Sequence, residues 1–232
     1  MSAAETVVFL HGLGDRPDDW SHQITALPGG LVGVPLGIPG LTADDESAGG
    51  GEAGAPAAFD LARAADLVAD DLDRRGLDRV HLCGLSLGAM IALRLAASAP
   101  GRVRSLTLVA GQVRPPRRLM AAQLAVVRVL PERLVASGGA SKARMLAVLR
   151  GVRDVDLTPE LRAIAAPTLV VCGSRDRANL AAARLIAESI PSATLGIVAG
   201  AAHRVHVERP AALSAVLNPF LSRHLAREDG PR

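Results

Sequence analysis

The sequence predicts an α/β domain built on a predominantly parallel sheet of about six strands with helices on both faces. Short β-branched or apolar runs alternate with helical patterns along most of the 232 residues, as successive right-handed strand–helix–strand crossovers require. Residues 80–90 read VHLCGLSLGAM: a buried strand, an abrupt turn at Ser86, then a helix apolar almost all round that stops at Pro100. Between Gly111 and Asp156 the alternation is interrupted by helix after helix. That segment, placed after the fourth strand at the sheet's C-terminal edge, is positioned to roof whatever lies there.

Taken in order, the run 6–10 is the first strand, and it ends in the polar, Gly-containing turn HGLGDRPDDW, with Trp20 opening a helix to residue 27. A second buried strand spans 31–36. The stretch 42–56, TADDESAGGGEAGAP, has neither period and reads as a mobile loop. Leu61, Ala65, Val68 and Leu72 recur at helical spacing over 59–76, with Gly76 as the stop. Strands follow at 79–83 and 102–109. The interrupting segment holds helices at 117–129, 131–136 and 141–150, then a short turn opening at Thr158-Pro159. A strand at 168–172, a helix at 178–190, a last strand at 194–198 and a closing helix from Pro210 complete the chain, with Asn218-Pro219 as a kink or break within that helix.

Composition removes several classes of function. The apolar runs are short, far from the roughly 20 residues needed to cross a bilayer, and the stretch MSAAETVVFL lacks a basic region followed by a long apolar run and reads as the start of a structural strand. These features predict a cytoplasmic protein without a membrane span. Two cysteines, Cys83 and Cys172, near the ends of separate strands, suit a reduced compartment and exclude metal-type cysteine spacing. Net charge is +3 and aromatics are 2% of the chain, with no tyrosine, so the stacking platform of a nucleic-acid binder is missing. The basic charge is concentrated at 112–153, where eight arginines and Lys142 face Glu132 alone. It is either a solvated helix surface or an attractor for an anionic substrate or carrier.

Gly84 and Gly88 flank Ser86 at two residues on either side, as a strand that reverses into a helix needs. Such a turn lifts the hydroxyl above the sheet edge and aims the helix's first amides at the same point. A serine hydroxyl is a weak nucleophile, so it requires a base and a carboxylate to orient that base. Of the six histidines, His81 lies along a buried strand, His22 in a helix and His224 in the terminus, while His11 suits a turn. His203, in the loop AGAAHRVHVERP after the last strand, stands at the edge where ligands bind in open α/β sheets. His206 reads as structural, and Cys83 as a small buried hydrophobe. Asp176, in CGSRDRAN after the fifth strand, supplies the acid, the competing reading being an N-cap for the helix that follows.

Four motifs in this order, HGLG at 11–14, GLSLG at 84–88, VVCGSRD ending in Asp176 and GAAHRVHVERP holding His203, make the chain resemble a single-domain α/β-hydrolase fold enzyme with a small helical lid. The resemblance implies a core of residues 1–111 and 157–232, a lid of 112–156, and a wholly parallel six-stranded sheet without the two strands that usually come first. It further implies a catalytic triad of Ser86, Asp176 and His203, and an oxyanion hole formed by the backbone amides of Leu13 and Leu87. The expected activity is cleavage of a small ester or thioester through an acyl-enzyme, with no cofactor or metal. Acyl transfer, carbon–carbon hydrolysis, a lyase reaction or a receptor role in the lidded pocket are alternatives, because fold alone does not choose among them. In the lid, Leu119, Met120, Leu124, Met145 and Leu149 are candidates for lid core or acyl pocket.

Overall fold

The computed structural model describes residues 4–38, 41, 58–135 and 140–225; the glycine-rich stretch 42–56 lies outside the described residues. Strands β1 (Glu5–Leu10), β2 (Leu31–Leu36), β3 (Val80–Leu85), β4 (Val103–Val109), β5 (Thr168–Gly173) and β6 (Ala193–Val198) form one sheet in the order β2-β1-β3-β4-β5-β6, every pair parallel. Because side chains alternate across a strand, the sheet feeds two cores. Val8, Leu10, Leu82, Leu108, Val170 and Cys172 enter one, and Val7, Phe9, Cys83, Leu85, Leu169 and Val171 the other. The two cysteines thus face opposite sides of the sheet with β4 between them. Pro35 is accommodated in β2 because that strand is an edge.

The helices fall where the apolar periods place them. One face is covered by α2 (Leu61–Arg74), α3 (Leu87–Ser98) and α7 (Leu180–Ser189), and the other by α1 (Ser21–Thr25), α8 (Val205–Glu208) and α9 (Pro210–Arg223). A turn of 3-10 helix at Pro17–Trp20 precedes α1, so the helix expected to open at Trp20 is shorter and begins one residue later. Helix α9 is not broken at Pro219. That residue lies on the exposed side, where the carbonyl one turn earlier loses its partner to solvent at little cost. Among the described residues no helix is long and apolar enough to cross a membrane.

Between β4 and β5, α4 (Arg117–Val129), α5 (Glu132–Val135) and α6 (Lys142–Val152) form the helical interruption. Its two ends meet, Leu157 N–H donating to Val113 O at 2.8 Å. Met120, Leu124, Val148, Leu149 and Val152 are buried and continuous with the first core.

The tightest backbone packing occurs where β3 becomes α3. A Cβ on Gly84 would lie 2.3 Å from Gly88 O, and one on Gly88 would lie 2.5 Å from Leu10 O and 2.6 Å from His11 O. Strand, helix and the end of β1 therefore approach at distances that only glycine permits. Between the two glycines Ser86 has φ 51° and ψ −108°, a strained conformation for a residue with a side chain, held by Ser86 N–H to Val109 O at 2.9 Å. Gly84→Ala or Gly88→Ala forces backbone apart and is expected to cost about 3 kcal/mol or to prevent folding. Gly101→Ala, where nothing lies within 4 Å, should leave the urea midpoint nearly unchanged. Equal midpoints for all three variants would refute the packing account.

Behind the sheet, Trp20 lies between Phe9 and His206, with ring centroids 5.1 and 4.7 Å away. His206 is 1% exposed, and burial pushes its pKa down to about 4 from 6.5. The folded protein thus binds this proton less readily than the unfolded chain, so stability is lost as pH falls from 6.5 toward 4. His206→Phe should remove about 2–3 kcal/mol of that acid sensitivity, measured as the difference in urea midpoint between wild type and variant across the interval. Parallel pH curves for the two proteins would contradict the burial of a neutral His206.

Candidate active site

The turn carrying Ser86 sits at the C-terminal edge of the sheet, and the loops after β5 and β6 converge on the same cavity. After β5, Asp176 stands in a tight turn closed by Asp176 N–H to Gly173 O at 3.1 Å. After β6, the loop bearing His203 packs directly on the end of β5. A Cβ on Gly173 would lie 2.2 Å from Ala202 O, and Arg175 N–H donates to Ala201 O at 2.8 Å. His203 Nδ1 and Asp176 Oδ2 are 2.8 Å apart. An ionised carboxylate only accepts, so Nδ1 carries the proton and Nε2 is left as the basic nitrogen.

The His203 loop is gripped from both sides. Glu208 accepts Ala202 N–H at 2.7 Å and Arg204 N–H at 3.1 Å, so one carboxylate fixes the backbone on either side of His203. The Arg204 guanidinium pairs with Asp15 at 2.6 Å and Asp19 at 3.2 Å, tying this loop to the turn after β1. His11 braces that same turn. Ile38 N–H donates to His11 Nε2 at 3.3 Å, so the ring proton is on Nδ1 and goes to Gly12 O at 2.8 Å.

The Asp176 side chain is 5% exposed, that of His203 44%. Burial alone would raise the Asp176 pKa, yet hydrogen bonds from His203 and Asn179 outweigh it and hold the carboxyl below its ordinary value. The closest partners of the carboxylate are side chains, His203 and Asn179, whose Nδ2 lies 2.8 Å from Oδ1 and 2.7 Å from Oδ2, and the Asn179 backbone amide adds a further bond. Asn179 in turn accepts from Gln112 Nε2 at 2.7 Å. Neither Asn179 nor Gln112 stands out in the sequence. Their amides carry no motif: Asn179 stands three residues after Asp176, and only the meeting of the β4 and β5 loops brings Gln112 to it.

Ser86, Asp176 and His203 line one cavity of about 520 Å³ with Leu13, Leu87 and the underside of α4 and α6. Neither the Leu13 nor the Leu87 amide donates to a protein acceptor among the described residues. Leu119, Met120, Met145 and Leu149 face this cavity, whereas Leu124 is buried away from it. No arginine or lysine is among its lining residues. The basic charge of the helical segment points elsewhere: Arg117 and Arg153 pair with Asp154, Arg114 with Asp156, and Arg144 lies over the Phe59 ring, 6.0 Å from its centroid.

The remaining candidates lie outside this arrangement. His81 is buried at the opposite end of the sheet, 2.7 Å from Ser105 Oγ and 2.8 Å from Glu5 Oε2. Cys83 is enclosed, and burial pushes its thiol far up from its ordinary value, so it is a packing residue.

Comparison with known proteins identifies the family. The chain is 35% identical over 106 residues to the dihydrolipoyllysine-residue acetyltransferase component of the acetoin cleaving system of Cupriavidus necator, a match covering 46% of this chain and 26% of that protein. It is 26% identical over nearly the whole of both chains, 94% and 92%, to the protein named "Putative carbamate hydrolase RutD" from Variovorax paradoxus. The crystal structure of a hydrolase from Pseudomonas aeruginosa PA01 superposes with a TM-score of 0.78 at 26% identity, covering 95% of this chain and 91% of that one. The model of the alpha/beta hydrolase family matches residues 7–216, and the chain belongs to that family of enzymes.

Proposed function

We propose that the chain is a serine hydrolase that cleaves a small, uncharged ester or thioester through an acyl-enzyme, with Ser86, His203 and Asp176 as its triad and residues 112–156 as its lid. The observation that carries this reading is the 2.8 Å bond between His203 Nδ1 and Asp176 Oδ2 beside a cavity that also contains Ser86. In the reaction, Ser86 Oγ attacks the substrate carbonyl while His203 Nε2 takes its proton, and Asp176 stabilises the imidazolium through Nδ1–H. The negative oxygen is received by the Leu13 and Leu87 amides, the latter reinforced by the N-terminus of α3. Collapse of the tetrahedral adduct breaks the bond to the leaving group, which receives the proton from Nε2. His203 then deprotonates a water that attacks the acyl-serine, and a second collapse returns the proton to Ser86 Oγ and releases the acid.

Ser86→Ala should lower kcat on the order of 10⁶-fold without loss of folding, and Asp176→Asn on the order of 10⁴-fold through the wrong imidazole tautomer. An active Ser86→Ala enzyme ends this reading, and a near-normal Asp176→Asn enzyme moves the acid elsewhere.

The lining favours an apolar acyl group over an anionic one. Leu13, Leu87, Met90, Met120, Val148 and Leu149 surround the space, and Gln112, Gln123 and Asn179 are its polar lining groups beyond the triad. Each buried methylene contributes about 0.8 kcal/mol, so kcat/KM for p-nitrophenyl esters should rise about 4-fold per added carbon until the cavity is full. An ester whose acyl chain ends in a carboxylate would bury an unpaired charge and should react on the order of 10²-fold more slowly than its methyl-ended counterpart. Preference for the carboxylate, with kcat/KM falling as salt is added, would show that the lid arginines reach the substrate after all.

A further inference from the structure

Asn179 occupies the position before α7 where a side chain ordinarily caps the helix, yet it makes no cap bond. Its amide is committed to Asp176 instead, Nδ2 straddling the carboxylate at 2.8 and 2.7 Å. The orientation of that amide is set one residue further back. Gln112 Nε2 donates to Ala178 O at 3.0 Å, and a carbonyl can only accept, so the nitrogen end of the Gln112 amide faces this corner. Its second N–H then requires an acceptor, which is Asn179 Oδ1 at 2.7 Å. With Oδ1 engaged, only Nδ2 is left for Asp176. Donors and acceptors thus run in one direction, from Gln112 through Asn179 to the acid, and reversing either amide would set like against like.

The same nitrogen lies 3.1 Å from His203 Nδ1. If Nδ1 were unprotonated it could accept from Asn179, leaving the proton on Nε2, which could then not take the Ser86 proton. Two tautomers of the base are therefore within reach of one group, and the choice depends on where the Asn179 hydrogens go. Resting on the serine-hydrolase reading above, we propose that Asn179 is a positioning residue: held by Gln112, it shares an N–H between the two oxygens of Asp176 and so keeps His203 in the tautomer that can take the serine proton. Gln112 belongs to the connection leaving β4 and lines the cavity, so the chain also joins the root of the lid to the acid.

The test uses the full-length protein, a fluorophosphonate that labels an activated serine, and a neutral p-nitrophenyl ester. Asn179→Ala removes hydrogen bonds to a charged group and should lower kcat and the labelling rate together by about 10- to 100-fold, with KM unchanged. The downfield proton resonance of His203 Nδ1–H should broaden or shift, which loss of a merely structural contact would not cause. Gln112→Met, which keeps the side-chain length without the amide, should lower kcat in the same direction. The double variant should be no worse than Asn179→Ala, because the two act as one unit. Losses that multiply in the double variant, or an Asn179→Ala enzyme labelled as fast as wild type, would overturn the proposal. Should Asn179→Ala fail to fold, the Gln112→Met kinetics and resonance decide it, and an unaltered enzyme counts against it. A wild-type protein resistant to the fluorophosphonate would instead remove the serine-hydrolase reading itself.

Discussion

The structure depends on a close approach of three backbones, the ends of β1 and β3 and the beginning of α3, at the pair Gly84 and Gly88. Every atom of that contact is main chain, so nothing can rotate out of the way. The turn between the glycines is thereby forced to bend within two residues, and Ser86 adopts a positive φ that its side chain disfavours. Strain of this kind persists only where surroundings over-determine it. Here the bond to Val109 O fixes the amide, while α3, buried on almost all sides, cannot shift to release it. The hydroxyl is left at the sheet edge beside the first amides of a helix, where few other conformations could hold it.

A second constraint brings His203 to that point. The His203 loop has no regular structure of its own before α8, yet Glu208, Arg204 and the Gly173 contact fix it on three sides. The work of GAAHRVHVERP is thus divided among its residues. Glu208 holds the backbone, Arg204 joins it to the turn after β1, and His206 anchors it in the core against Trp20. His203 alone turns toward the cavity. Because Arg204 bonds Asp15 in the turn that also carries Leu13, the turn after β1 and the base are parts of one hydrogen-bonded unit.

Much of this was legible in the sequence because it is written in backbone requirements. Gly84 and Gly88 around a serine, a strand before and a helix after, announce the elbow, and the alternation of apolar runs announces six strands. The pairing of Asp176 with His203 was legible by position, each lying in the first loop after a strand at the C-terminal edge. Asn179 and Gln112 were not. Sixty-seven residues separate them, neither residue type signals a particular chemistry, and the direction of their hydrogen bonds exists only once the loops after β4 and β5 lie side by side. Pro219 shows a different limit. The sequence suggested a kink or break there, and the exposed placement of the residue lets α9 continue without the break.

The arginines of the helical segment teach a related lesson about charge. Composition shows how much charge a segment carries but not which way it faces, and helices α4 and α6 are amphipathic. Their apolar stripes, with Met120, Val148 and Leu149, must cover the cavity and the core beneath it. Once those stripes face inward, the arginines between them have only solvent or Asp154 and Asp156 to meet. Arg144, the buried exception, lies over Phe59 and is absent from the cavity lining. The same packing requirement that seats the segment over Ser86 therefore separates a basic outer surface from an apolar interior. On the function proposed above, selection of an uncharged acyl group follows from how this helical segment folds, without any residue dedicated to rejecting anions.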